Sequence, residues 1–307
     1  MGSTLNSIGI SLVENHSNTQ PDISNDPGDF DYPSDRLETR LLRGLQSSLD
    51  IGDILNTFLK ELKILLPIDG ISYHHAKYQL EYKAGKLGRH QAIYHLETDT
   101  EKMGEIIFCR HQRFKESELN IFEDLMSYLF HPIRNALKYQ KAFKAAVTDA
   151  LTGCGNRIAM DIAISRETQL AKRNDAPLAI IMFDFDHFKT INDTYGHQCG
   201  DYILKKTTAE IQNTLRKTDL IFRYGGEEFV ILLHRTTLKG AQIVAEQIRN
   251  HVEALLIEFK RQTLTVTLSF GATAMKKGDD AESLIKRADE SLYKAKHSGR
   301  NCVKYIT

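Results

Sequence analysis

Two periods of apolar spacing run along the chain, and the places where one replaces the other mark its predicted elements. Residues 1–35 hold neither period. Ser, Asn, Asp, Pro and Gly dominate there, and the few large apolar groups cannot offset the chain entropy lost on folding, which predicts a disordered tail. From Asp35, an N-cap candidate, Leu37, Leu41, Leu42 and Leu45 fall on one helical face. Asp50-Ile-Gly-Asp53 interrupts the pattern, and Ile54, Leu55, Phe58, Leu59, Leu62, Leu65 and Leu66 resume it before Pro67. Shorter extended segments follow over 70–77, 80–82, 91–97 and 103–110, separated by Gly, Lys and acidic turns. Leu119, Phe122, Met126, Leu129, Ile133 and Leu137 then trace a long amphipathic helix, in which Pro132 lacks an amide donor and predicts a kink or a break. Over 135–148 the apolar positions Leu137, Phe143, Ala146 and Val147 sustain no long heptad, so this linker is either a coiled coil of a dimer or a solvated helix.

A second block begins at Asp149. Asp149 and Thr152 are cap-type residues and Gly153 and Gly155 are breakers, so together they end the linker and start a helix over 157–172. Leu178 to Phe183 is the near-continuous apolar run that a strand buried on both faces needs. The order then reads helices near 187–195 and 202–217, strands 220–224 and 229–233, a helix 238–258, a strand 263–274, a helix 281–297 and a strand 302–306. Strands 220–224 and 229–233 form an obligatory antiparallel hairpin, and helices alternate with the strands, which predicts an α+β fold with a mixed sheet. The predicted division is a tail 1–35, a first domain 36–134, the linker 135–148 and a second domain 149–307.

Composition narrows the classes. At 307 residues there is room for about two domains. The 40 Lys and Arg balance 40 Asp and Glu, which removes the electrostatic case for a nucleic-acid partner. Six acids and no Lys or Arg fall in 1–35, leaving the remainder at +6, a sign that suits an anionic nucleotide. The four cysteines lie far apart with no Cys-x-x-Cys, so free thiols in a reducing compartment are expected. No apolar stretch approaches the roughly 18–20 residues that span a bilayer, and no basic, then apolar leader opens the chain; a cytoplasmic protein with no membrane partner is expected. His74, His75, His90, His95, Cys109, His111 and His131 repeat no ligand spacing, and are read as ordinary polar groups rather than metal or haem ligands.

The candidate chemistry sits in Arg223-Tyr-Gly-Gly-Glu-Glu-Phe229, between the hairpin strands. Glycine accepts the positive φ of a tight hairpin turn, and Gly225 and Gly226 leave the backbone bare for a bulky anion such as a phosphate. Glu227 and Glu228 would repel that phosphate unless a divalent cation lay between them. Asp184-Phe-Asp186, ending the buried strand, supplies a further carboxylate for such a hard-oxygen site; Mg²⁺ takes few protein carboxylates and completes its shell with water and substrate phosphates.

This heptapeptide resembles the signature of GGDEF-domain diguanylate cyclases, in the form with Glu at the third position. Four further blocks are similar, in order: Asp149-Ala-Leu-Thr-Gly-Cys-Gly-Asn-Arg157, Phe183-Asp-Phe-Asp-His-Phe-Lys-Thr-Ile-Asn-Asp-Thr-Tyr-Gly-His197, Gly200-Asp201, and Ala288-Asp-Glu-Ser-Leu-Tyr-Lys-Ala-Lys-His-Ser-Gly-Arg-Asn301. The resemblance implies a ferredoxin-like palm of the kind shared with class III nucleotide cyclases and many polymerases. The first domain, helices then an antiparallel sheet then a helix, resembles a GAF-type α/β module. Its strands leave no room for the extra elements that wall a ligand pocket, so dimerisation or partner binding is expected ahead of small-molecule sensing.

The same resemblance implies roles for particular residues. Asp184 and Glu227 would hold Mg²⁺ (or Mn²⁺) with the carbonyl of Phe185. Period-two alternation puts Glu227 and Glu228 on opposite faces, so Glu227 is taken as the surer ligand, and Glu228 as either a second-metal ligand or the acceptor that helps deprotonate the attacking 3′-hydroxyl. Lys296 and Arg300, four apart on the last helical segment, would clamp the triphosphate. Lys189 and the amides around His187 and Phe188 would hold an anion at a helix start. Asn192 and Asp201, with His197 nearby, would read guanine: a carboxylate accepts from N1–H and the exocyclic amine, a donor pair adenine lacks, so the substrate expected is GTP. Arg216-Lys-Thr-Asp219, with five residues between Asp219 and Gly225, matches a product-inhibition site for cyclic di-GMP. One GTP per domain implies a homodimer. A non-catalytic receptor of GTP or cyclic di-GMP, and a partner-binding first domain with a vestigial second one, are the competing readings; retention of Asp184, Asn192, Asp201, Glu227, Glu228, Lys296 and Arg300 together favours the active enzyme of bacterial second-messenger signalling. No residue set in 36–148 identifies the input.

Overall fold

The computed structural model describes residues 9–13, 35–98 and 101–306, and contacts divide the chain into two compact units at 142/143. That point falls inside the expected 135–148 linker. In the first unit β1 (Gly9–Val13) precedes α1 (Asp35–Leu45) and α2 (Ile51–Leu65), and β2 (Gly70–His75), β3 (Leu80–Gly85), β4 (His90–Glu97) and β5 (Lys102–Arg110) lead to α3 (Glu116–Val147). The strands form one antiparallel sheet in the order β1-β4-β5-β2-β3. Asp50 opens α2 as its N-cap, accepting the Asp53 amide at 3.0 Å. Phe58, Tyr73, Tyr94, Phe108 and Phe122 fill the core, with Phe108 and Phe122 stacked at 4.5 Å between ring centroids.

Two expectations change here. Gly9–Val13 pairs with β4, so the tail is not structureless throughout; the average over 1–35 hides this short apolar run, and the rest of the tail before Asp35 lies outside the described residues. Of the two outcomes expected at Pro132 the break is absent: α3 continues through it, with Leu129, Phe130 and Ile133 buried on both sides against the roughly 3 kcal/mol a helical proline costs.

The second unit carries α4 (Arg157–Asn174), β6 (Leu178–Phe185), α5 (Phe188–Tyr195), α6 (His197–Thr214), β7 (Leu220–Arg223), β8 (Glu228–His234) and α7 (Leu238–Glu253). β9 (Ile257–Phe259), β10 (Gln262–Leu264), β11 (Leu268–Ala274), α8 (Ala281–His297) and β12 (Val303–Tyr305) complete it. Its sheet runs β12-β11-β6-β8-β7, parallel at β11–β12 and antiparallel elsewhere, which is the mixed α+β, ferredoxin-like arrangement. β6 is buried along its whole length. Ile181, Phe183 and Phe185 join one apolar cluster and Leu178, Ile180 and Met182 the other, so each face of the strand has its own cover.

The single strand expected over 263–274 is two, β10 and β11, and the helix expected over 238–258 stops at Glu253. Lys260 and Arg261, at φ 45° and 69°, turn the chain between β9 and β10 without the glycine that would have signalled it. α6 starts at His197, ahead of the expected 202. Among the described residues no helix is long and apolar enough to cross a membrane.

Candidate functional site

The end of β6 gathers the charged groups. Asp184 faces Glu228 across the β6–β8 ladder and Ser269 across β6–β11. The Lys296 ammonium, from the last turn of α8, lies 2.8 Å from Asp184 Oδ2 and 3.9 Å from Glu228 Oε1. Asp184 is 6% exposed, and burial drives its carboxyl up to about 6; Lys296 opposes the rise, while the Glu227 and Glu228 charges add to it. Glu227 therefore acts on Asp184 by charge, and its carbonyl accepts the Phe185 amide at 3.4 Å. By register it is Glu228, not Glu227, that shares the strand position of Asp184. A pair of acids that already holds an ammonium is chemically suited to a divalent cation. Among the described residues no group of three or more His, Cys, Asp or Glu is set to hold a metal, in the first unit or here, but Mg²⁺ needs only one or two carboxylates with water and phosphate.

The turn before Glu228 differs from the expected glycine hairpin. Neither Gly225 nor Gly226 has φ in the left-handed region. Their use is space: a Cβ on Gly225 would lie 2.9 Å from Glu228 Oε2, whereas one on Gly226 would meet nothing within 4 Å. Phe188 is buried against Phe185, with ring centroids 5.7 Å apart, and Lys189 is exposed on the first turn of α5, whose cap His187 makes no side-chain bond. Asn192 lies over Gly200, where any Cβ would overlap its amide oxygen, and Asp201 and His197 are exposed on the first turns of α6. Arg300 is not on α8: the helix ends at His297, and Arg300 follows in a left-handed conformation, φ 63°, exposed to solvent. Arg216 and Asp219 belong to the turn before the edge strand β7, away from Asp184 in the sheet order; Arg216 N donates to Asp219 Oδ2 at 3.2 Å and Asp219 N to Arg216 O at 3.0 Å.

Sequence reasoning missed two supports of this site. Arg223 donates to both Asp149 carboxylate oxygens at 3.1 Å and to the Gly226 carbonyl at 2.7 and 3.1 Å, so it ties the glycine turn to the start of the unit. Burial alone would raise the Asp149 carboxyl, but the bonds from Thr152 and the Arg223 guanidinium hold it below the usual aspartate range. Asp186, 5% exposed, accepts from Thr267 Oγ1, Ser269 Oγ and Asn301 N.

The family model described as "Diguanylate cyclase, GGDEF domain" matches residues 146–302. Diguanylate cyclase DgcS of Shewanella oneidensis is 31% identical over 289 residues, covering 91% of this chain and 94% of the relative. Response regulator PleD of Caulobacter vibrioides is 41% identical over 174 residues, 56% of this chain and 38% of that protein. Among solved structures, the coiled coil and GGDEF domain of DgcB from Caulobacter crescentus, in complex with c-di-GMP, is similar with a TM-score of 0.55 and 28% identity, over 62% of this chain and 100% of that one.

Proposed function

The chain belongs to the GGDEF-domain diguanylate cyclase family, and from that premise we propose that it condenses two molecules of GTP into cyclic di-GMP. The observation that carries the reading is the Asp184–Glu228 cross-strand pair with Lys296 between its carboxylates. In each half-reaction the 3′-oxygen of one GTP bonds to the α-phosphorus of the other, the bond from that phosphorus to the β-phosphate bridge breaks, and pyrophosphate leaves. Two such steps close the ring. Asp184 and Glu228, with the Phe185 carbonyl, would hold Mg²⁺ or Mn²⁺, and Glu227 beside them would add its charge. A bound cation of this kind supplies charge neutralisation at the transferring phosphoryl group.

The chain's own residues do the rest. The attacking 3′-hydroxyl loses its proton, and Glu227 and Glu228 are the acceptors at hand. Lys296 and Arg300 would take the triphosphate, with Lys189 beside it, and the bare Gly225–Gly226 backbone lets the phosphates approach. Asn192 and Asp201, with His197 near, would read guanine. Each unit can present one nucleotide, so two copies must face each other, a homodimer. The first unit is read as a GAF-like regulatory or dimerisation module. Arg216 and Asp219 would bind the product, a reading supported by the DgcB relative, whose structure is in complex with c-di-GMP.

The test is to incubate the protein with GTP and Mg²⁺ and resolve the nucleotides by chromatography. Cyclic di-GMP is expected from the wild type, at least about a hundredfold less from Glu228→Gln, and none from ATP. Added cyclic di-GMP is expected to inhibit, and Arg216→Ala to relieve that inhibition. No product from dimeric protein freed of bound nucleotide would overturn the reading.

A further inference from the structure

Asp184 and Asp186 look alike in sequence, two acids at one strand end, but their surroundings assign them different work. Asp186 is 5% exposed, and its carboxylate already accepts Thr267 Oγ1 at 2.8 Å, Ser269 Oγ at 2.6 Å and the Asn301 amide at 3.0 Å. Its own amide donates to Thr267 O at 3.0 Å. A buried carboxylate with three donors is satisfied by the protein itself and has little left for a cation.

What it secures is an otherwise unfavourable stretch of chain. Gly299, Arg300 and Asn301 all have φ in the left-handed region, at 101°, 63° and 44°. For residues with a Cβ this costs on the order of 1 kcal/mol each and persists only where the surroundings over-determine it. The determinants converge on Asn301: its amide meets Asp186, its Nδ2 donates to Glu253 Oε1 at 2.8 Å, and its Oδ1 accepts from an Arg249 guanidinium nitrogen at 3.1 Å. The Arg300 amide closes back on the Ala295 carbonyl at 3.2 Å. The backbone on both sides of Arg300 is thereby fixed while its side chain is exposed.

We infer that Asp186 is a positioning residue which, through the Asn301 amide, fixes the loop that aims Arg300 at the nucleotide triphosphate. The inference rests on the reading of Arg300 as a triphosphate contact. Prepositioning of that cation lowers the entropy lost when phosphate binds, so its loss falls on nucleotide affinity before it falls on the chemical step.

The experiment compares Asp186→Asn, Asn301→Gly, Arg300→Ala and the double variant Asp186→Asn with Arg300→Ala in the full chain. The readouts are KM and kcat for GTP, the Mn²⁺ concentration for half-activation, and the affinity for 3′-deoxy-GTP, which lacks the attacking hydroxyl. Asp186→Asn is expected to raise KM and weaken 3′-deoxy-GTP about tenfold, with kcat and the Mn²⁺ requirement little changed, and to add nothing once Arg300 is gone. Asn301→Gly removes the side-chain bonds to Glu253 and Arg249 but keeps the amide that Asp186 accepts, and is expected to leave the analogue's affinity nearly unchanged; a tenfold loss there would place the anchoring on the Asn301 side chain and overturn the inference. If Asp186→Asn fails to fold, Asp186→Ser is read in its place, and an unchanged affinity overturns the inference. A lower kcat with a raised Mn²⁺ requirement at unchanged KM would make Asp186 a metal ligand instead. Additive losses in the double variant would make it merely structural, with the role of Arg300 intact. Unchanged affinity in Arg300→Ala would remove the triphosphate reading itself, and the inference with it.

Discussion

Burial makes the Asp184 carboxylate costly to keep ionised, and that cost has a measurable sign. The folded state holds the proton up to about pH 6, against about 3.9 for an unfolded aspartate, so between these values the folded state binds more protons and stability falls as pH rises. Asp184→Asn removes the burden: it is expected to stabilise the protein by about 2 kcal/mol at pH 7.5, with the gain fading toward pH 4, as urea unfolding at the two pH values would record, while activity is lost. Arg223→Lys keeps the charge but not the fork that spans Asp149 and Gly226; kcat is expected to fall about tenfold with the fold retained, measured by initial rates and circular dichroism. Asp184 was legible as a strand-end carboxylate because it stands at the edge of an apolar run, whereas alternation pointed to Glu227 ahead of Glu228, the residue that the ladder sets opposite Asp184. The Asp149–Arg223 pair was not legible, because the partners are 74 residues apart and no periodicity joins them. Asp186 was open to misreading for the opposite reason: its neighbour in sequence advertises a metal, and the donors that hold it, Thr267, Ser269 and the Asn301 amide, come from far along the chain.

Whole elements were readable where pattern and cap agreed. α8 spans the expected 281–297, since Asp280 and Ser283 form a reciprocal cap ahead of a regular apolar stripe. The β9–β10 turn was hidden because Lys260 and Arg261 adopt a conformation usually marked by Asn or Gly; α3 was legible from its apolar stripe, but its continuity through Pro132 was not, because packing overrode that signal. Between α5 and α6 the contact of Asn192 with Gly200 sets the spacing of the proposed guanine readers. Gly200→Ala would favour the helix by up to about 1 kcal/mol, yet its methyl group must displace the Asn192 amide. The melting temperature is therefore expected to hold while KM for GTP rises about tenfold; a fall in melting temperature with unchanged KM would reject the arrangement.

At the scale of the molecule, the likeness to DgcS covers 91% of this chain, more than the second unit alone contains, so both units take part in the kinship. The second unit's sequence announces its chemistry; the first unit's sequence announces only its core, because a buried apolar stripe specifies packing and not what presses on the outside. If two facing copies are needed, specific activity at saturating GTP is expected to fall as the protein is diluted, in step with the dimer fraction read by light scattering, whereas activity constant through dissociation would exclude the dimeric mechanism. β6 lies between two antiparallel neighbours, so its amides are held by ladders on both sides, while Gly226 in the facing turn is exposed. Deuterium should therefore enter the two halves of the site on separate clocks, the strand exchanging only when the whole unit unfolds and the turn whenever it briefly opens. A nucleotide that bridges them would slow the second clock and leave the first untouched, so exchange at 225–228 reports occupancy without a label on the ligand.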